Sequence, residues 1–288
     1  LSSTVIKTKF PFFIMEKCFD IYCIIMIFWN LGIMFSNELV QSFTKSFYSQ
    51  YYDNALYYSV MMNKPVMSFG VHSYAAYFYM LLFYLSYISA KNTGKIKYYV
   101  YCISIFIFTV FLSSNSSLVY GIVMMIMLFS LIKGKPVFIF AFMVIFFFIL
   151  AFSLPDLLSK YLMIFNSRIN GFIPRYFGDN TVFSENIRVI RNSMGIGFCI
   201  PDNLNLGYSD SGYMVYLTMG HIPFVVVIYS IIYKFIKNNF SKKHVWFLSF
   251  VIFSFEIALP ATFNYRFPFV IIFVITFLKS IETYETLS

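Results

Sequence analysis

Four of the chain's five arginines, Arg168, Arg175, Arg188 and Arg191, fall within "SRINGFIPRYFGDNTVFSENIRVIR" (167–191), and the fifth is Arg266. A guanidinium is a planar fork that grips two oxygens of a phosphate or carboxylate at once, so arginines gathered in one segment suit the binding of a phosphorylated substrate. Asp179, Glu185 and Asp202 lie nearby as acids with which a solvated loop would pair them, at little energetic gain. "FSENIRVIRNSMGIGF" reads as a short helix: Ser184 caps it, Glu185 suits its first turn, and Gly195 or Gly197 ends it. On that helix Arg188 and Arg191 are three apart and share a face.

Asp210, in "YSDSGYMVYLTMGHIP", stands where a polar stretch runs into an apolar one, a place for a carboxylate that accepts a proton. It also fits as the cap of the helix that follows, with Ser211 as the alternative. His72 and His221 are weaker catalytic candidates, because a lone histidine also serves as a hydrogen-bonded packing residue. Glu256 lies inside an apolar run, where ionisable groups face a cavity or a partner, and Arg266 is the partner on offer. Asp20 is close enough to the end of its run to be solvated.

Other chemistries find no residues. There is no phosphate-binding glycine loop, no dinucleotide fingerprint, no Ser-His-Asp set and no Asp-x-Asp metal motif in a loop. Cys18, Cys23 and Cys102 sit in apolar runs and Cys199 in a polar stretch, without metal-ligand spacing or a disulfide framework. We therefore expect no metal and no cofactor.

These residues sit on a chain that reads as lipid solvent. Of its 288 residues 60% are apolar, 23% aromatic and 11% charged, more apolar surface than a soluble domain needs for its core. An all-α, polytopic integral membrane protein is expected, a single membrane domain over 1–288. Its eight candidate spans are roughly 17–35, 70–90, 98–112, 117–132, 136–154, 213–233, 245–260 and 267–281. Most of the phenylalanines and tyrosines are expected to face lipid or its interface. The net charge of +9 would suggest nucleic acid in a soluble protein, but here the lysines end apolar runs, so no nucleic-acid partner is expected.

Lysine-rich connections at 91–97, 133–135 and 234–244 are placed in the cytoplasm, with Lys7, Lys9 and Lys17. Every connection then alternates, and two long segments, 36–69 and 155–212, fall outside. Thirteen of the 16 lysines lie inside and all five arginines outside, a split that membrane orientation cannot produce. The chain opens on Leu1 with no cleavage site after an apolar core, so no cleaved signal peptide is expected.

In chain order, "KPVMSFGVHSYAAYFY" (64–79), "FLSSNSSLVYGIV" (111–123), "ENIRVIRNSMGIGF" (185–198) and "SDSGYMVYLTMGHIPF" (209–224) resemble the O-antigen polymerases, the Wzy-type enzymes of bacterial surface polysaccharide assembly. The resemblance covers roughly residues 64–224. It departs at Met194, where relatives often have proline, and in the number of spans, since relatives commonly have ten or more; helices preceding residue 1 are thus expected.

The resemblance implies a metal-independent, inverting glycosyltransferase of the bacterial inner membrane with its active site facing the periplasm. It would move a growing glycan from undecaprenyl pyrophosphate onto an incoming lipid-linked repeat unit. Arg188 and Arg191 sit at the family's arginine-led helix, Arg168 and Arg175 share its loop, and Arg266 joins them as a pyrophosphate ligand. Asp210 falls where the related ligases often carry histidine, which makes it the candidate base. Membrane lipids, a chain-length regulator and a flippase are the implied partners. The alternatives are an O-antigen ligase acting on lipid A core and a lipid-linked oligosaccharide flippase or transporter.

Overall fold

The computed structural model describes residues 12–48, 59–67, 72–132, 182–197, 211–258 and 266–287. Among these, every regular element is a helix: α1 (Phe12–Met34), α2 (Glu38–Tyr48), α3 (His72–Thr93), α4 (Ile96–Phe111), α5 (Asn115–Ile132), α6 (Val182–Asn192), α7 (Gly212–Asn239), α8 (Lys242–Ala258) and α9 (Arg266–Leu287). Seven of the eight apolar runs coincide with α1, α3, α4, α5, α7, α8 and α9. The run at 136–154 lies outside the described residues, as do Arg168, Arg175, Asp210 and most of the tyrosine cluster at 48–58. Among the described residues, α7 alone is long and apolar enough to cross a membrane; α1 passes the same test together with Glu38–Ser46, across a bend of 109°.

The chain divides into two compact units, the first comprising Leu1–Leu131, Lys234–Phe255 and Ala261–Ser288. Its centre is α3, whose residues from Ala75 to Ser86 are all buried. A short turn at Gly94 and Lys95 folds α4 back along it, and α1 packs on α4 and α9. Phe19 of α1 is fully buried against Phe277, ring centroids 4.8 Å apart, and edge-on to Tyr101 at 6.2 Å.

Many tyrosines are core residues rather than the lipid-facing filler expected from composition. Tyr77, Tyr79, Tyr98 and Tyr120 are buried. Burial of a phenol calls for a hydrogen-bond partner, and Tyr79, Tyr98 and Tyr120 each have one. Tyr79 receives a bond from Asn30 at 2.7 Å and donates to the Pro65 carbonyl, while Tyr120 reaches the Ser254 hydroxyl at 3.1 Å. His244, expected at the inner surface, is buried, with Nδ1 2.6 Å from the Tyr84 hydroxyl and Nε2 3.5 Å from Glu282.

The serine-rich word at 111–123 starts a helix. The Ser117 amide donates to Ser114 Oγ at 3.0 Å and the Ser114 amide to Ser117 Oγ at 2.7 Å, a reciprocal cap that satisfies two amides at the head of α5.

Asp20 is not merely solvated. It pairs with Lys97 at 2.6 Å, while Glu16 takes Lys95 at 2.6 Å, Lys97 at 2.8 Å and the Tyr98 hydroxyl at 2.8 Å. The cluster pins the start of α1 to the α3–α4 turn. Both lysines are partly open to water, so Glu16→Gln is expected to cost only about 1 kcal/mol, less at raised salt. Thermal unfolding in detergent at two salt concentrations checks this; a loss undiminished by salt would show that the pair is desolvated.

Candidate functional site

The second unit, Ile132–Tyr233 with Glu256–Pro260, contains α6, the turn that ends it and the first part of α7. The arginine helix is present as expected, but it begins at Val182, so Ser184 lies within it rather than capping it. Asn186 and Val189 form its packed side and are buried. Arg188 and Arg191 are both exposed, on the side opposite that packing, which leaves two guanidinium groups on one open face. Arg191 also stands in the last turn, where a cation complements the helix dipole.

Helix α7 is broken in its middle. Gly220 (φ −154°) and His221 (φ +60°) leave helical geometry, and Pro223 follows two residues later. Proline has no amide hydrogen, so the Met219 carbonyl four residues back loses its normal helical donor. The turn after α6 fills the gap: the Gly197 amide donates to Met219 O at 2.8 Å and the Ile196 amide to Thr218 O at 3.0 Å. Residues 22 apart in the chain, from two separate sequence words, thus meet as donor and acceptor.

This docking dictates the glycines. Gly195 has φ +111°, and a Cβ built there would sit 2.3 Å from the Met219 carbonyl oxygen. Gly197, at φ +72°, has open space where a Cβ would be. The helix ends where the sequence expects it to, with Ser193 donating from both its amide (3.0 Å) and its hydroxyl (2.8 Å) to Val189 O.

His221 completes the attachment, with Nε2 3.2 Å from the carbonyl of Ile190 in the last turn of α6. A carbonyl only accepts, so this nitrogen carries the hydrogen, and the ring caps an otherwise unpaired helix end. That is a positioning role. Asn186 and Thr218 make a further link at 3.4 Å. The Thr218 hydroxyl approaches Asn186 Oδ1 at that distance and donates to Met214 O at the shorter 2.8 Å.

Glu256 is completely buried, and its carboxylate accepts from the Tyr229 hydroxyl at 3.1 Å. Tyr229 is thus one observed partner; the side chain of Arg266, the partner expected, lies outside what the structure describes. The Glu256 backbone carbonyl accepts from Ser211 Oγ at 3.3 Å, which ties the residue just before α7 to the end of α8. Tyr213 packs on Tyr229 with ring centroids 4.7 Å apart. This acid and its tyrosines are the site feature that spacing does not reveal; the signal in the sequence is an ionisable residue in an apolar run.

The structure therefore joins His221 to the last turn of α6, the helix that carries Arg188 and Arg191. His72 heads α3 in the first unit, half-buried, and Arg266 is the first residue of α9. Among the described residues, no three His, Cys, Asp or Glu side chains gather as metal ligands would. Compared with known protein families, curated proteins and solved structures, the chain matches none of them.

Proposed function

We propose that the chain is a multi-pass bacterial inner-membrane protein of about eight spans that polymerises lipid-linked glycan repeat units on the periplasmic side, an O-antigen polymerase. The observation that supports this reading is the interlock of α6 with the break in α7. It joins two of the four sequence words that carry the family resemblance, and it leaves Arg188 and Arg191 presented side by side.

In this reading the acceptor hydroxyl oxygen attacks the anomeric carbon of the donor glycan and its proton passes to the Asp210 carboxylate. The bond from that carbon to the pyrophosphate oxygen breaks, its electron pair leaves with undecaprenyl pyrophosphate, and the configuration inverts. Negative charge grows on the leaving group. Guanidinium groups fixed in advance at a site of low dielectric stabilise that charge without reorganising. Arg188 and Arg191 supply two such groups, and Arg168, Arg175 and Arg266 are the further ligands proposed.

Deleting the gene in its own strain and separating the surface glycan on a gel tests the reading. Single-repeat products support a polymerase; loss of all surface glycan points to a ligase or flippase, and an unchanged ladder to neither.

Asp210→Asn is expected to block polymerisation at near-normal protein abundance, because asparagine still caps a helix but cannot take a proton. An unchanged ladder would reduce Asp210 to a cap.

A further inference from the structure

The segment 36–69 after α1 reads from the sequence as a long, tyrosine-rich outer segment, and its residues Glu38–Tyr48 form an amphipathic helix turned by 109° from α1. The corner is built. Ser36 takes φ +56°, and Asn37 Oδ1 accepts the Val40 amide at 3.2 Å, capping α2. Trp29 of α1 donates from its indole to Thr44 Oγ1 at 2.8 Å and packs on Phe43 with centroids 5.3 Å apart. Gln41 donates to Asn63 at 2.8 Å. With Thr44 fully buried against these contacts, the rotation of α2 about its own axis is fixed.

That rotation splits the outward side lengthwise. Glu38 and Ser42 are exposed on one flank; Leu39, 82% exposed, and Phe43, 54% exposed, occupy the other, with about 140° between Glu38 and Phe43. The apolar flank continues through Phe35 at the corner to Phe28 on α1, 79% and 71% exposed.

We propose that α2 lies in the boundary layer of the outer leaflet, with Leu39 and Phe43 among the upper acyl carbons and Glu38 and Ser42 in headgroup water. This rests on the membrane reading of α1 given above. If α1 follows the membrane normal, the 109° corner sets α2 within about 20° of the membrane plane. A helix with one apolar and one polar flank, lying flat, is the form that binds such an interface. The partner is the apolar layer of the bilayer and not its charge. Among its exposed and half-buried residues α2 carries one acid, Glu38, and one base, Lys45, so contact should not depend on anionic lipid or on salt.

The test uses the full chain in phosphatidylcholine nanodiscs, with Cys18 and Cys199 replaced by serine; Cys23 and Cys102 are buried. A small fluorophore is attached in turn to Phe28→Cys, Glu38→Cys and Leu39→Cys. It is quenched by aqueous iodide, by lipid bearing a nitroxide near the headgroup, or by lipid bearing one near the acyl end. The label at 39 should be quenched at least ~2-fold more by the shallow nitroxide than by the deep one, as a helix embedded a few ångströms requires. The label at 38 should yield to iodide, and neither response should change with salt or added anionic lipid. Iodide quenching at 39 equal to that at 38, or deep quenching at 39 equal to that at 28, would overturn the interfacial helix. A shallow-nitroxide response at 39 that disappears in raised salt would overturn its apolar basis. If the label at 28 escapes both nitroxides, it is the membrane reading itself that fails.

Discussion

Gly195→Ala is expected to unfasten α6 from α7 and abolish polymerisation, while Gly197→Ala, two residues on, is expected to be close to silent. Both positions have positive φ, so sequence reasoning treats them alike. The surroundings differ. At Gly195 the added methyl meets a backbone carbonyl and the Gly220 Cα at 2.3 and 2.7 Å, atoms that cannot swing aside as a side-chain end would. The strained φ costs about 1–3 kcal/mol and the overpacking a similar amount, relieved only by lifting the turn off the break. Lifting it frees the Thr218 and Met219 carbonyls, and the latter has no helical donor because residue 223 is proline. At Gly197 there is nothing to strike. Its φ lies near the left-handed region and costs about 1 kcal/mol, partly offset by the stiffer unfolded chain. Thermal unfolding in detergent and the glycan ladder of complemented deletion strains read the two variants together. Equal effects at 195 and 197 would show that the turn does not dock as described.

Arg191→Lys is expected to be nearly as damaging as Arg191→Ala. Lysine keeps the charge and still complements the end of α6, but it offers a point charge where the proposed ligand needs a planar two-pronged donor. Because Arg191 is exposed and opposite the packed side of α6, neither change should unfold the helix. Removing one charge-assisted hydrogen bond costs about 1.5–3 kcal/mol, or roughly one to two decades in rate if that bond acts in the transition state. The readout is the surface-glycan ladder at matched membrane abundance. Full-length ladders from Arg191→Lys beside short ones from Arg191→Ala would mean that charge alone suffices, and the clamp would fall.

The apolar helices and the open face of α6 were legible in the sequence because they depend on neighbours a few residues away. Apolar length marked α1, α3, α4, α5, α7, α8 and α9, and the spacing of Arg188 and Arg191 put both on one side of a short helix that glycines end. The interruption of α7 was signalled only weakly, by Pro223 inside an apolar run, and its consequence was not legible at all. Which amide would serve the carbonyl that proline abandons depends on what packs there, and the donor came from Gly197. For the same reason Glu256 met Tyr229, Asp20 met Lys97 instead of water, and Tyr79, Tyr98 and Tyr120 turned inward. A buried polar group must find a partner wherever packing brings one, and no periodicity along the chain encodes where that is. Local order along the chain was enough for the apolar helices and for the side on which the arginines stand, though α2 was not expected. Packing between helices selected which polar groups satisfy one another, because those partners lie far apart in the chain.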